Sequence, residues 1–193
     1  MTARRPGPVV SPEKLLTELC APWLVLTVGS VHLGRRAGST RWGLATAAGL
    51  GVVPQSAIAW RVRRKALSDH HVTRREDRPP VIAGIAVSVA TLLVAQHRRG
   101  APDELRRMTR AALVALGVAG AATWKVKVSF HTAVLAGMVA VLAREISPRY
   151  WRLLGLVPPV AWARVRISHH TPVETALGAV IGVGCGYLGG GPR

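Results

Sequence analysis

The chain has 193 residues, and its 26 Lys and Arg side chains outnumber 9 Asp and Glu side chains, which gives a formal net charge of +17. This length allows one domain or two small ones. Its two cysteines, Cys20 and Cys185, exclude a disulfide framework and any multi-cysteine zinc site. Because 49% of the residues are hydrophobic, we expect two kinds of surface, one apolar and one that faces anions.

Seven apolar blocks alternate with charged segments along the chain. The blocks are 19–34, 42–60, 79–96, 111–124, 128–143, 153–163 and 171–192. A membrane-spanning helix needs about 20 apolar residues; three blocks meet this alone, and others approach it once flanking Trp and Arg are counted. A soluble bundle would show a polar face at helical spacing, and blocks 42–60, 79–96 and 128–143 show almost none. The pattern predicts an all-α, polytopic membrane helical bundle with six or seven transmembrane helices.

The same pattern predicts how the chain is divided. Residues 1–18 form a basic N-terminal segment, and residues 19–192 form a single transmembrane domain. Three hydroxyl–proline pairs mark helix starts, because a capping hydroxyl precedes a proline at the first helical position. These pairs are Ser11-Pro12, Ser147-Pro148 and Thr171-Pro172.

Polar residues suited to binding or catalysis collect in one set of loops. If every block crosses the membrane, the loops fall into two sets, and one set carries five of the seven histidines. Its notable residues are Lys65, Asp69, His70, His71, Arg74, Arg75, Arg78, Lys125, Lys127, Ser129, His131, Arg164, Arg166, His169 and His170. Guanidinium groups bind phosphate through paired charge-assisted hydrogen bonds, and histidine offers a nucleophile and a general acid. We therefore predict one phosphate-binding site at one membrane face.

Three motifs in these loops resemble a known family. Residues 164–174 read Arg-Val-Arg-Ile-Ser-His-His-Thr-Pro-Val-Glu, residues 127–132 read Lys-Val-Ser-Phe-His-Thr, and residues 65–79 begin with Lys and end with Arg-Pro. Taken in chain order, from 65–79 through 127–132 to 164–174, they resemble the three motifs of the type-2 phosphatidic acid phosphatase family, which is related to vanadium haloperoxidases. The resemblance covers roughly 65–185, and the phosphatase-like core would occupy about 61–190.

The resemblance implies a role for each motif residue. His170 would attack phosphorus, Glu174 would orient its imidazole, and His131 would protonate the leaving oxygen and then activate water. The phosphoryl oxygens would be held by Lys65, Arg75, Arg78, Ser129 and Arg164. The scheme needs no metal and no cofactor.

Several residues depart from the family pattern. The carboxylate is Glu174 where the family has Asp, Val128 replaces a proline and Phe130 replaces a glycine. The lysine role falls on Lys65, because His71 occupies the position seven residues before Arg78.

Some of these residues also have structural explanations. Thr171-x-x-Glu174 is a capping box, in which the hydroxyl and the carboxylate satisfy amides of the first helical turn. Ser129 is placed to cap a helix that begins near Phe130. The charged loops as a whole could simply be solvated segments touching lipid headgroups.

Metal binding and nucleic-acid binding are both disfavoured as functions of these residues. The side chains of adjacent histidines point in different directions, and the many nearby arginines would repel a divalent cation. We therefore predict no metal site. The cations are divided almost evenly between the two sets of loops, which suits a membrane protein between two anionic surfaces better than a nucleic-acid binder.

These observations lead to one prediction and two alternatives. We predict a multi-pass protein of the cell membrane, of bacterial type, that hydrolyses a phosphomonoester or diphosphate on a lipid: phosphatidate, phosphatidylglycerol phosphate or a polyprenyl diphosphate. Its partners would be the lipid phosphate and the bilayer, with no nucleic acid, and the oligomeric state stays open. The first alternative is a non-catalytic protein that binds a phospholipid or polyprenyl phosphate. The second is a structural membrane partner.

Overall fold

The structure is a computed structural model that describes residues 11–64 and 78–190. Within these ranges the chain is helical and forms no strand, so the predicted all-α class is confirmed. The α-helices are α1 (Pro12–Leu19), α2 (Pro22–Arg36), α3 (Thr40–Ala47), α4 (Val53–Arg63), α5 (Arg78–Arg98), α6 (Asp103–Thr123), α7 (Phe130–Glu145), α8 (Val157–Arg166) and α9 (Pro172–Gly189). A π-helical turn, Ala48–Val52, joins α3 to α4, and a 3-10 helix, Pro148–Leu156, precedes α8.

The structure confirms the three predicted helix starts. Ser11 and Thr171 are the N-cap residues of α1 and α9, each followed by a proline in the first turn. Ser147 caps the 3-10 helix and accepts a hydrogen bond from the backbone N–H of Arg149. The π-helical turn directly precedes Pro54, which has no N–H to continue the regular ladder. Local sequence therefore sets these boundaries.

The helices run between two ends of the bundle. At the first, here called the histidine end, α7 and α9 begin side by side, and the backbone N–H of Ser129 donates to the carbonyl of Glu174 at 3.2 Å. At the other, here called the arginine end, Arg107 at the start of α6 binds Glu145 at the end of α7. The 3-10 helix lies near the arginine end, where Tyr150 contacts His32 of α2, and α8 brings the chain back to the turn that precedes α9.

A glycine seam joins α7 to α9. Gly178, Gly182 and Gly186 of α9 lie so close to α7 that a Cβ at Gly178 or Gly186 would come within 2.5 Å of a backbone carbonyl oxygen. A Cβ at Gly182 would collide with the carbonyl of Ala133. Small residues at a four-residue spacing allow such close helix packing in membranes. The seam fixes α7 and α9 relative to each other.

The outer surface of the bundle is apolar along α5 and α9. Val87 of α5 is 68% exposed, and Val180 of α9 is 69% exposed. Two helical stretches in the described chain, Pro80–Arg98 and Pro172–Gly189, are long and apolar enough to cross a membrane. Helices α1 and α2, bent by 41° at their junction, make a third if they form one span. Helix α7 is equally apolar but has 16 residues, and α6 carries charges in its first turns.

Candidate functional site

The turn between α8 and α9 brings His170 next to Arg164. Helix α8 ends at Arg166, and Ser168 then adopts the left-handed conformation with φ 57°. This reversal lets the backbone N–H groups of His169 and His170 both donate to the carbonyl of Arg164, at 3.1 and 3.2 Å. A left-handed residue after a helix commonly satisfies the last carbonyls in this way. The cation and the imidazole of the third motif are thereby held together.

Glu174 has two functions in the first turn of α9. The capping box forms as predicted, because Thr171 Oγ1 accepts from the Glu174 N–H at 3.3 Å and Glu174 Oε2 accepts from the Thr171 N–H at 3.1 Å. The same Oε2 atom accepts from Nδ1 of His170 at 2.9 Å. Since a carboxylate only accepts hydrogen bonds, the proton of the neutral imidazole lies on Nδ1. The lone pair is then on Nε2, which is the nucleophilic atom.

The surroundings keep the His170 imidazole neutral. Burial is the largest effect and lowers the pKa of His170 from its ordinary 6.5 to about 4, although the hydrogen bond to Glu174 acts in the opposite direction. The positive charges of Arg164 and Lys127 lower this pKa further. A neutral imidazole among cations can act as a nucleophile at neutral pH without first losing a proton.

The start of α7 supplies the second motif. His131 lies in the first turn of α7 and is 5% exposed, and Thr132 Oγ1 donates to the carbonyl of Thr175 in α9 at 2.8 Å. Ser129 is the N-cap residue, as expected, but its side chain makes no capping hydrogen bond. Its buried Oγ has no hydrogen-bond partner among the described residues. The second and third motifs therefore meet through the contact of α7 with α9.

Lys127 belongs to the site, although the motif reasoning gave it no role. Its Nζ donates to the carbonyl of His169 at 2.6 Å, which places its charge beside His170. The only sequence signal was its position two residues before Ser129 within the second motif. This contact joins residues 42 positions apart, so it depends on the packing of the two loops.

An apolar cavity extends from these polar groups into the bundle. Its volume is about 490 Å³, within the usual range for ligand sites. His131, Arg164 and His170 line its polar end. Val141, further along α7, also lines it, so at 1.5 Å per residue the cavity follows about 15 Å of that helix. Glu18 of α1 and Gln55 of α4 also line it, and the rest of its wall is mostly apolar and comes from α2, the π-helical turn, α4, α5, α6 and α9.

The structure covers part of the predicted site. It brings together His131, His170, Glu174, Ser129 and Arg164. The first motif lies mainly outside the described residues, including Lys65 and Arg75 with Asp69, His70 and His71. Arg78 is the first residue of α5, and its side chain is outside the described part. No group of three His, Cys, Asp or Glu side chains in the described ranges is placed to hold a metal ion.

Comparison with known proteins gives no relative for this chain. No protein-family model, no curated protein and no solved structure matches it. Its function is therefore argued from the chemistry of the site.

Proposed function

We propose that this chain is a membrane-embedded phosphatase of the type-2 phosphatidic acid phosphatase kind, which hydrolyses a phosphomonoester or diphosphate on a lipid. The observation that carries the proposal is the buried His170 imidazole. Its Nδ1 is held by Glu174, and cations adjoin it at the polar end of an apolar cavity. A nucleophile oriented by a third group is the recurring arrangement of covalent catalysis.

In the first step, Nε2 of His170 attacks phosphorus. A P–N bond forms and the bond from phosphorus to the lipid oxygen breaks. The imidazole becomes cationic, and the Glu174 carboxylate on Nδ1 offsets that charge. His131 gives a proton to the departing lipid oxygen, which leaves as an alcohol or, from a diphosphate, as a lipid monophosphate.

In the second step, His131 takes a proton from water. The water oxygen attacks phosphorus, the P–N bond breaks, and inorganic phosphate leaves with His170 neutral again. The sum is one ester or anhydride bond and one water consumed, so no oxidant, reductant or other reactant is needed.

The cations around His170 support this chemistry. Phosphoryl transfer depends mainly on positioning and on neutralising the three equatorial oxygens. Arg164, 1% exposed in the last turn of α8, and Lys127, in the loop before α7, bring positive charge to the imidazole from two different segments. The buried Ser129 Oγ is a further donor, and we assign Lys65, Arg75 and Arg78 to the same phosphate on the basis of the motif.

The cavity supports a lipid as the substrate. An apolar cavity with Arg164 and two histidines at one end matches an anionic headgroup on an apolar chain. Candidates are phosphatidate, phosphatidylglycerol phosphate and a polyprenyl diphosphate. We also propose a multi-pass protein of the cell membrane. The seven apolar blocks of the sequence would make seven crossings, or six if the block 19–34 lies along the membrane.

The test is phosphate release from these lipids by the purified protein in detergent with EDTA present. We expect wild type to release phosphate and His170→Ala to lose the activity by about a thousandfold or more. His97→Ala, an exposed histidine at the arginine end, is the matched control and should retain it.

Two outcomes would overturn the proposal. If folded wild type and His170→Ala release phosphate at the same background rate, the protein is better described as a non-catalytic binder of lipid phosphates. Activity that EDTA removes but His170→Ala retains would mean that the reaction does not pass through a phosphohistidine.

A further inference from the structure

A second groove lies at the arginine end, remote from His170. It is formed by the end of α5 and the start of α6 and has a volume of about 560 Å³. Its wall combines two apolar residues with a cluster of charged ones: Leu93, Val94, His97, Arg98, Asp103, Arg106, Arg107 and Arg110. Four arginines and a histidine thus share the groove with a single acid.

Asp103 and Glu145 are engaged by arginines, and a third acid near the groove, Glu104, lies close enough to Arg107 to raise its pKa. Asp103 accepts a hydrogen bond from Arg106. Arg107 donates two hydrogen bonds to Glu145, from Nε at 2.9 Å and from Nη2 at 2.7 Å. Arg98 and Arg110 are exposed and have no carboxylate partner in the part of the chain that the structure describes. Arg98 and Arg110 therefore carry the positive charge of the groove that is not paired with a carboxylate in the described residues.

The apolar and charged walls are arranged along α5. Leu93 and Val94 belong to the stretch Pro80–Arg98 that is long and apolar enough to cross a membrane, and Arg98 is its last residue. The groove is thus apolar toward the middle of the span and cationic at its end. A ligand that matches both parts has an anionic headgroup and an apolar chain. Basic pockets between helices at a membrane surface commonly bind acidic lipid headgroups.

We propose that this groove binds the headgroup of one acidic phospholipid, with its chain against Leu93 and Val94. Along α7 the Arg107–Glu145 contact lies 14 residues from His131, or about 20 Å at the helical rise. The lipid bound here is therefore not the molecule that reaches His170. The binding does not depend on the proposed phosphatase activity, because none of the groove residues belongs to that site.

The test compares lipid binding by the purified full-length protein in detergent, using native mass spectrometry. The probes are dioleoylphosphatidylglycerol, which is anionic, and dioleoylphosphatidylcholine, which has the same chains and no net charge. The variant Arg98→Gln/Arg110→Gln removes two unbalanced charges from the groove. The matched control Arg35→Gln/Arg36→Gln removes two exposed charges from the end of α2, outside the groove.

We expect wild type and the control to retain one more phosphatidylglycerol than phosphatidylcholine. The groove variant should bind phosphatidylglycerol roughly tenfold more weakly, because each cation near a lipid surface contributes to binding the anion. Circular dichroism should show equal helix content in all three proteins, since the replaced side chains are exposed.

Three results would overturn the proposal. Unchanged phosphatidylglycerol binding by the groove variant would show that the groove is a solvated charged surface. An equal loss in both double variants would show general attraction to anions. Displacement of the lipid by inorganic phosphate alone would show a site for small anions with no place for a lipid chain.

Discussion

The Oε2 atom of Glu174 lies 2.9 Å from Nδ1 of His170 and also accepts the backbone N–H of Thr171 at 3.1 Å. The oxygen that orients the imidazole is therefore part of the cap of α9. Because the cap forms when the first turn of α9 forms, the orientation of His170 is set by local folding. The extra methylene of Glu, compared with Asp, gives the carboxylate the reach of the usual capping box.

Replacing Glu174 by Gln should separate these two functions. Glutamine also serves at this position of a capping box, so we expect the thermal midpoint to change by only a few degrees. The charge that stabilises the cationic imidazole is lost, and an amide in place of the orienting carboxylate can also select the wrong tautomer. Phosphate release should fall by about a hundredfold or more.

Thr171→Ala is the matched control for the cap alone. It removes the hydroxyl that accepts the Glu174 N–H and keeps the carboxylate. Loss of an N-cap hydroxyl typically costs about 1 kcal/mol, so stability should fall while activity stays within a few-fold of wild type. If Glu174→Gln loses only stability, Glu174 has no chemical role.

The His170 imidazole should become protonated only at an unusually low pH. Its pKa is lowered to about 4, chiefly by burial, so the imidazole should stay neutral from neutral pH down to about pH 5. NMR titration of labelled histidine, assigned with His170→Gln, measures this directly. Glu174→Gln should move the pKa lower still, because Glu174 raises it. A midpoint near 6.5 would contradict the buried, cation-flanked environment.

The same shift predicts how stability varies with pH. In the unfolded chain His170 would titrate at its ordinary value of 6.5. Between about pH 6.5 and pH 4 the unfolded state therefore binds more protons, and the stability of the folded protein falls as the pH falls. Above pH 6.5 the imidazole is neutral in both states and contributes nothing. Thermal midpoints of wild type should drop more steeply over this range than those of His170→Gln.

Filling the apolar cavity should weaken binding of long chains selectively. Ala115 of α6 lines the cavity, whereas its neighbour Val114 is 51% exposed on the outer surface. Ala115→Phe would occupy space for several chain carbons, each worth about 0.8 kcal/mol when buried. We expect decylphosphonate to bind at least tenfold more weakly and butylphosphonate to bind as it does to wild type, measured by isothermal titration calorimetry on the purified protein in detergent.

Val114→Phe adds the same ring outside the cavity and should bind both phosphonates as wild type does. These phosphonates are not hydrolysed, so the measurement also works if the chain is a binder without turnover. Equal affinity of wild type and Ala115→Phe for decylphosphonate would mean that the lipid chain lies elsewhere.

The glycine seam should be sensitive to a single side chain. Gly182→Val would drive its Cβ into the Ala133 carbonyl, whereas a Cβ at Gly184 of the same helix meets nothing within 4 Å. Overpacking of this kind typically costs 1–3 kcal/mol, so we expect Gly182→Val to lose about 2 kcal/mol or more. Gly184→Val should be neutral or slightly stabilising, because Val has the better helix propensity. Equal midpoints for the two variants would contradict the close contact of α7 with α9.

Local features of the fold could be predicted from the sequence. The apolar blocks became helices, Thr171 and Glu174 formed the capping box, and a helix begins at Phe130. These depend on residues within a few positions of one another, and the chemistry of capping acts at that range.

Features that depend on packing could not be predicted. The bond from Lys127 to the carbonyl of His169, the cavity behind His170 and the seam at Gly182 each require two distant segments to meet. Ser129 shows that even a local sequence pattern can predict a position correctly and its hydrogen bond wrongly. It occupies the N-cap position, but its backbone N–H is bound by the carbonyl of Glu174 and its hydroxyl makes no capping bond.

The glycine seam also determines which parts of the bundle can shift when a ligand arrives. His131 stands at the start of α7 and His170 directly before α9, and the backbones of these helices are in contact from Gly178 to Gly186. The two imidazoles are thus held by one rigid pair of helices, while α5, which packs mainly on α6, also lines the cavity. An outward movement of α5 would widen the cavity without changing the spacing of the two histidines.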